Sequence, residues 1–338
     1  MKIKVFLFIC LALVCAVLLG HVSPAAIQSM PTSQTPSSVT FLLLGVDSAA
    51  CNSDVVVLGR YESRENNLTL MQLPRDMYIE GADDTPKLNH IYAACRANGM
   101  ADREALAYTV NTISEAFPIR IDVAACLDLS TFGALVDAVG GVPITVPFDM
   151  SYEDPYQGLS IVLRKGDTVL DGKTAEQFVR YRSGYIEGDL GRLDAQKIFF
   201  AACLQHVIKN MTVMDMLSLF IQYSDQLCFL GDRSQLLSIA SEVLAARKTL
   251  STQFLSIPGE AICADNGVWY YIINRDATCE VMNRFFAPSV PFDKNTFDPQ
   301  GRFYRENTNI SNIYFSATMP YRVYTAEEIT DINILKKD

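Results

Sequence analysis

Three arginines and an aspartate crowd one short stretch, RYRSGYIEGDLGRLDAQ, where Arg180, Arg182 and Arg192 surround Asp189 just ahead of an apolar helical pattern. Guanidiniums that close repel one another unless an anion lies between them. Their planar five-donor forks suit phosphate oxygens at least as well as carboxylates. Further along, Leu193, Phe200, Leu204 and Val207 recur at helical steps, and Gln196 falls on the same stripe. A polar side chain on a core-facing stripe needs a partner. Taken alone, these residues fit equally well a surface salt-bridge cluster with Asp189 as a helix N-cap.

A second group lies upstream. Three apolar runs, 41–44, 55–58 and 68–73, are bounded by turn residues and read as strands buried on both faces. Short connections favour antiparallel neighbours. That pairing brings the end of the first strand, the start of the second and the end of the third to one edge of the sheet. Asp47, Asp54 and Arg75 then converge there. Two adjacent carboxylates are costly unless one takes a proton or a cation joins them, and a hard divalent ion with oxygen ligands is the economical solution. A single aspartate in a loop is ordinarily an Asx-turn residue; it is the convergence that argues for more.

The elements that must position these groups alternate along the chain. Residues 101–117, 129–139, 174–181, 193–208, 213–221 and 233–246 carry helical periodicity, whereas 119–126, 142–146, 253–257 and 268–273 read as strands. Residues 159–163 and 168–170 flank Lys165-Gly166-Asp167 and are expected to form a hairpin. Strands mixed with long helices predict an α/β layered domain with a mixed sheet. Four segments follow: 1–22 as a membrane anchor or signal, 23–38 as a Pro/Ser/Thr-rich tether, 39–287 as the main domain and 288–338 as an irregular arm.

Composition narrows the function. A chain of 338 residues that is 49% apolar buries a sizeable core. Its formal charge is -10, and removing the first twenty-two residues takes away Lys2 and Lys4, leaving -12. Nucleic acid is excluded as a general partner, because phosphate neutralisation there needs a broad basic face. Lys2 and Lys4 precede an unbroken apolar run at 5–19, which places the rest of the chain outside the cytoplasm, membrane-anchored or, if 1–22 are cleaved, secreted. Beyond Cys10 and Cys15 there are seven cysteines, an odd number. Cys51 with Cys95 and Cys263 with Cys279 are the pairs to test, with connectivity left open.

The ordered segments FLLLGVDS, NSDVVVL, LPRDMYI, KLNHIYA, VDAVGGVPITVPFDM, LDGKTAEQFVRYR and GDLGRLDAQK resemble the successive motifs of the LytR-CpsA-Psr family, with looser similarity through IPGEAICADNGVWYYI. The resemblance implies a three-layer α-β-α sandwich with a mixed central sheet and an apolar tunnel for a lipid. It implies an extracytoplasmic phosphotransferase that moves a glycopolymer, such as teichoic acid or capsular polysaccharide, from undecaprenyl pyrophosphate onto peptidoglycan with Mg²⁺. By the same carry-over Asp47 and Asp54 bind the metal. Arg75, Lys87, Arg180, Arg182, Arg192 and Gln196 line the pyrophosphate, with Arg75 and Arg182 acting in the transfer itself. Asp189 or Asp76 would orient the acceptor hydroxyl or take its proton, and Asp189 is the choice.

Two positions depart from the family pattern. Asn52 stands where arginine commonly precedes Ser-Asp, and Ala49 where arginine often follows Gly-x-Asp-Ser. Lys173 or Arg103 could compensate for the lost charge. A hydrolase, with water in place of the sugar hydroxyl, and a non-catalytic binder of polyprenyl phosphate are the alternatives. Ile198, Phe199 and Phe200 could touch lipid, although a helix in an α/β domain buries such residues in any case.

Overall fold

The computed structural model describes residues 38–330 except 48–50, 81–85, 155–158, 186–188, 213–214, 216–217, 220–221, 224–225, 233–242, 244–247, 308–320 and 326–327, and except the side chains of Leu129, Ser130, Leu159, Asp189 and Leu190. The expected anchor at 1–22, all but the last residue of the tether, most of the helix at 233–246 and part of that at 213–221 lie outside the described residues.

In chain order the elements are β1 (Ser38–Val46), β2 (Ser53–Glu62), β3 (Asn67–Leu73), α1 (Leu88–Ala97), α2 (Asp102–Ala116), β4 (Val123–Asp128), α3 (Leu129–Ala138), β5 (Val142–Val146), β6 (Met150–Asp154), β7 (Leu159–Leu163), β8 (Gly166–Leu170), α4 (Gly172–Arg180) and α5 (Asp189–Asn210). After these come β9 (Cys228–Leu230), β10 (Ser251–Ser256), β11 (Gly259–Cys263), β12 (Trp269–Ile273), α6 (Arg275–Val281), α7 (Gly301–Glu306) and β13 (Tyr324–Thr325).

Seven strands form a mixed sheet in the order β13-β10-β3-β2-β1-β4-β9. The central strands are apolar on both faces because both are covered. Alternate residues sort the core: Phe41, Leu43, Val55, Val57 and Leu70 face a layer that includes Phe132, Phe178 and Phe199 of α3, α4 and α5. Leu42, Leu44, Val56, Leu58 and Met71 face the other layer, where α1, α2 and α6 contribute Leu88, Leu106 and Val281. The result is the α/β domain with a mixed sheet read from the residues, in the α-β-α layering that the resemblance implies.

Strand direction decides where chemistry can sit. β2 is antiparallel to both β1 and β3, while β4 runs parallel to β1 and β10 parallel to β3. The C-terminal ends of β1, β3, β4 and β10, together with the start of β2, therefore share one edge, the side of an α/β sheet where ligands bind.

Several expectations change. The strands 159–163 and 168–170 exist but do not form a hairpin: β7 pairs with β6, and β8 pairs with β5. Only two residues separate β7 from β8, and the Asp149 carboxylate takes hydrogen bonds from the Lys165 amide (2.8 Å) and the Arg164 guanidinium (3.0 Å), turning the chain into the second pair. These bonds hold the Asp149 carboxyl below the usual carboxylate range. A short helix, α7, breaks the irregular arm, and β13 caps the sheet beside β10. The seven cysteines stand as thiols, Cys51 and Cys95 included, and Cys126 lies directly across from Cys228. Burial pushes the Cys126 thiol well above its usual range.

Helix α4, which carries Arg180 at its end, is seated by a close backbone approach. Gly172 packs against the Gly133 main chain, its amide donates to Asp137 (2.7 Å), and Asp171 caps the helix by accepting from the Thr174 amide (2.8 Å). A Cβ at Gly172 would collide with the Gly133 carbonyl. Gly172→Ala is accordingly expected to destabilise the protein by about 1–3 kcal/mol, read as a fall of several degrees in Tm by calorimetry.

Candidate active site

At the shared edge, β1 meets β2 with Val46 opposite Ser53, after an irregularity at Gly45/Val46. The loop between them closes on itself. The Asp47 amide donates to the Asn52 carbonyl (3.0 Å), and the Asn52 amide donates back to Asp47 Oδ2 (3.0 Å). Cys51 takes a left-handed backbone, φ 55°, to make the turn. This fixes Asp47 one residue beyond the β1 end and Asp54 one residue into β2.

From Asp54 a ladder of alternating charge runs along the edge. Arg75 donates to Asp54 Oδ1 through Nη1 (3.0 Å) and reaches Asp76 Oδ2 through Nε (3.4 Å), while Lys87 Nζ holds Asp76 Oδ1 at 2.9 Å. The Lys87 ammonium also sits 5.3 Å from the Tyr270 ring centroid. Lys87 comes from just ahead of α1, so strand ends and a helix start meet here. All four side chains are partly exposed, from 16% for Lys87 to 32% for Asp76; the ladder remains open to a ligand.

The second group approaches from the opposite layer. Helix α5 is tied down by two neighbouring residues to two neighbouring strands. Gln196 accepts from the Gln72 amide and donates to the Val179 carbonyl (3.3 Å). Lys197 donates to Ser256 Oγ (2.9 Å) and pairs with Asp194 (2.7 Å). Gln72 and Ser256 are themselves register partners on β3 and β10. Gln196 and Lys197 are almost fully buried, which explains the polar residue on the apolar stripe: it bridges α5, α4 and β3.

Arg192 lies one turn before Gln196 and is only 5% exposed. Arg180 ends α4 and pairs with Glu176 (2.9 Å). Arg182 is exposed in the loop that follows. Nearby in the chain, Tyr181 and Tyr185 pack with Phe148 in an aromatic cluster with centroids 5.6–6.0 Å apart. Burial, with Tyr181 and Asp194 nearby, keeps the Tyr185 phenol protonated far above its ordinary range. Asp189 is the first residue of α5, and its side chain lies outside the described residues. Phe199 and Phe200 belong to the core. Ile198 does too, and with Pro143, Ile144, Val169 and Ala202 it also lines a cleft of about 590 Å³ between the β5-β8 pair and α5.

The structure thus joins Asp54 to Arg75 directly and Arg75 to Lys87 through Asp76, with Asp47 at the start of the closed loop that leads to Asp54. Gln72–Gln196 connects that edge to the helices that carry Arg180 and Arg192. Asp76 is a fuller participant than the sequence suggests, and Gln72, Lys197 and Ser256 were not singled out at all. Their signal is faint: a glutamine in an apolar strand and a lysine next to a buried glutamine.

The LytR_cpsA_psr family profile matches residues 21–286, well over half of the chain. The chain belongs to the LytR-CpsA-Psr family. Among relatives, the polyisoprenyl-teichoic acid--peptidoglycan teichoic acid transferase TagU of Oceanobacillus iheyensis is 28% identical over 250 residues, covering 70% of this chain and 72% of that one. TagU of Bacillus subtilis is 24% identical over 245 residues, covering 71% and 74%. The fold recurs in solved structures. B. subtilis TagV superposes with a TM-score of 0.60 at 21% identity over 75% of this chain and 99% of that one. TagT bound to LIIa-WTA gives 0.58 at 23% identity over 79% and 98%.

Removing one member of the buried amide pair strands the other. Gln72→Leu is expected to cost about 1–3 kcal/mol. A double-mutant cycle with Gln196→Leu, followed by denaturant unfolding, should show a coupling of at least about 0.5 kcal/mol.

Proposed function

We propose that this protein transfers a phosphate-linked glycopolymer from a polyprenyl pyrophosphate carrier to peptidoglycan, on the outer side of the membrane to which residues 1–22 anchor it. The observation that carries the reading is the alternating ladder Asp54–Arg75–Asp76–Lys87 at the C-terminal edge of the sheet, in a chain whose TagU relatives are named as transferases of teichoic acid to peptidoglycan.

The chemistry requires little covalent participation from the protein. An acceptor hydroxyl attacks the phosphorus attached to the glycan, the bridging P–O bond breaks, and polyprenyl phosphate departs with the electron pair. Charge builds on the phosphate oxygens as this happens, and prepositioned cations stabilise it. Arg75 and Lys87 reach the edge from β3 and α1. Arg180, Arg182 and Arg192 approach from α4, its loop and α5, so that the pyrophosphate is clasped between layers. Gln196 keeps α5 at the right height.

Asp47 and Asp54 suit Mg²⁺, which is commonly held by one or two carboxylates and completes its shell with water and substrate phosphates. Next to Asp54, the hydroxyl of Ser53 is fully buried with no hydrogen-bond partner among the described residues, an oxygen that the water shell of an ion could serve. Among the described residues no group of three or more His, Cys, Asp and Glu gathers into an all-protein cage. When bound, Mg²⁺ would supply further charge neutralisation at the phosphates. Both oxygens of Asp76 already accept from cations, so Asp189 is the better choice for the acceptor proton. For the polyprenyl chain, the cleft bounded by Ile144, Ile198 and Ala202 offers an apolar wall.

The test is turnover of a short lipid pyrophosphate-linked sugar with Mg²⁺ and a peptidoglycan acceptor. Arg182→Ala and Asp54→Ala are each expected to lower kcat/KM by at least about 100-fold while the unfolding midpoint stays near that of the parent. Wild-type rates in either variant defeat the site assignment. Phosphate release without transfer would identify a hydrolase, and binding without turnover would leave only a binder.

A further inference from the structure

Cys126 and Cys228 occupy one rung of the central sheet. They are register partners in the antiparallel pairing of β4 with β9, in which Ala124 meets Leu230 and Ala125 meets Phe229. Side chains directly opposite in such a pair leave the sheet on the same face, with Cβ atoms about 4.5–5.5 Å apart. The packing agrees on which face it is: Ala124, Cys126, Cys228 and Leu230 lie in the layer of α1 and α2, whereas Ala125 and Phe229 lie in the other. Two thiols therefore stand side by side in one apolar layer. Among the described cysteines they are the pair that a strand register sets face to face.

Strand β9 is the element that most needs a covalent tie. It is three residues long and ends the sheet, so β4 is its one partner in the ladder. It also brings the chain back to the sheet after α5: Gln226, two residues ahead of Cys228, accepts from Thr131 Oγ1 near the start of α3 (3.1 Å), and Arg103 of α2 donates to the Phe229 carbonyl (2.7 Å). A disulfide draws its Cβ atoms to about 3.8 Å, roughly 1 Å closer than an unlinked rung. The last strand of a sheet can make that movement without pulling a further neighbour out of register.

We infer that Cys126 and Cys228 are a disulfide pair, closed by an exported dithiol-disulfide oxidoreductase and pinning β9 to β4. This rests on the outer-side location in the reading given above, because such bonds persist in oxidising compartments. Cys228 is half-buried and Cys126 buried, so Cys228 meets the oxidant first. Its thiolate attacks one sulfur of the oxidant's disulfide, that S–S bond breaks, and the departing thiolate takes up a proton. Cys126, deprotonated in turn, attacks Cys228 Sγ in the mixed disulfide and expels the second thiolate, which takes the other proton. The pair loses two electrons and two protons, and the oxidant becomes a dithiol. Burial raises both thiols; each is then a poor leaving group, and the bond once made resists reduction. The two cysteines are about a hundred residues apart in the chain, a separation at which a cross-link removes much entropy from the unfolded state.

The test is made on the full chain in detergent micelles, treated with oxidised glutathione, alkylated and digested. Peptide mapping by mass spectrometry should find Cys126 joined to Cys228, and the bond should survive an excess of about tenfold of reduced over oxidised glutathione. The bonded form should melt at least about 5 °C above the reduced form. That gap should vanish in Cys228→Ala and persist in Cys51→Ala, which removes another thiol of the same layer. Because each variant is compared with itself, oxidised against reduced, a loss of stability from the substitution does not enter. Alkylation of both thiols after oxidised glutathione, a bond from Cys126 to a different cysteine, or an undiminished gap in Cys228→Ala overturns the pairing. Alkylating whole cells before lysis tests the location separately. If the bond forms in the purified protein and is absent from cells, the outer-side reading fails and the pairing stands.

Discussion

Repulsion among like charges at the sheet edge is the constraint around which this molecule is arranged. Asp47, Asp54 and Asp76 are brought close by the ends of β1 and β3 and the start of β2, and Arg75 and Lys87 alternate with them. Partly exposed pairs of this kind contribute little to stability. Their value lies in geometry: Asp54 and Asp76 are each oriented by a cation, and Arg75 and Lys87 each by an acid, so the edge is an ordered surface of fixed charge.

An ordered edge would be of little use if the arginines of the opposing layer could drift. Gln196 and Lys197 prevent this, since adjacent positions on α5 bond to registered positions on β3 and β10. A helix attached at two points on two strands resists both rolling and sliding. The same bonds account for a buried lysine, which burial would penalise without Asp194 and Ser256.

Much of the architecture is legible in the residues. The continuous runs 41–44, 55–58 and 68–73, bounded by turn residues, fit strands covered on both faces better than half-exposed ones. Convergence of Asp54 and Arg75 followed from that pairing alone. The β7-β8 hairpin misled because local turn chemistry at Lys165-Gly166-Asp167 is compatible with two pairings, and the choice is made by β6, four residues before β7, and by β5, which takes β8. Helix α1 is hidden because its ten residues give fewer than three full turns of period, and the buried Asn89 interrupts the apolar stripe. Gln72, Lys197 and Ser256 were silent for another reason: a tertiary hydrogen bond leaves no period in the sequence.

The bond between Gln72 and Gln196 closes a loop of 124 residues. Contacts so distant form late, because the chain loses loop entropy before it gains them. Strands β1 to β3 can pair locally and carry the acids with them, whereas the arginine-bearing layer must be delivered by α4 and α5 after β4 has joined the sheet. During synthesis, then, the part that carries Asp47, Asp54 and Arg75 can form first, and the part that carries Arg180 and Arg192 docks on it later.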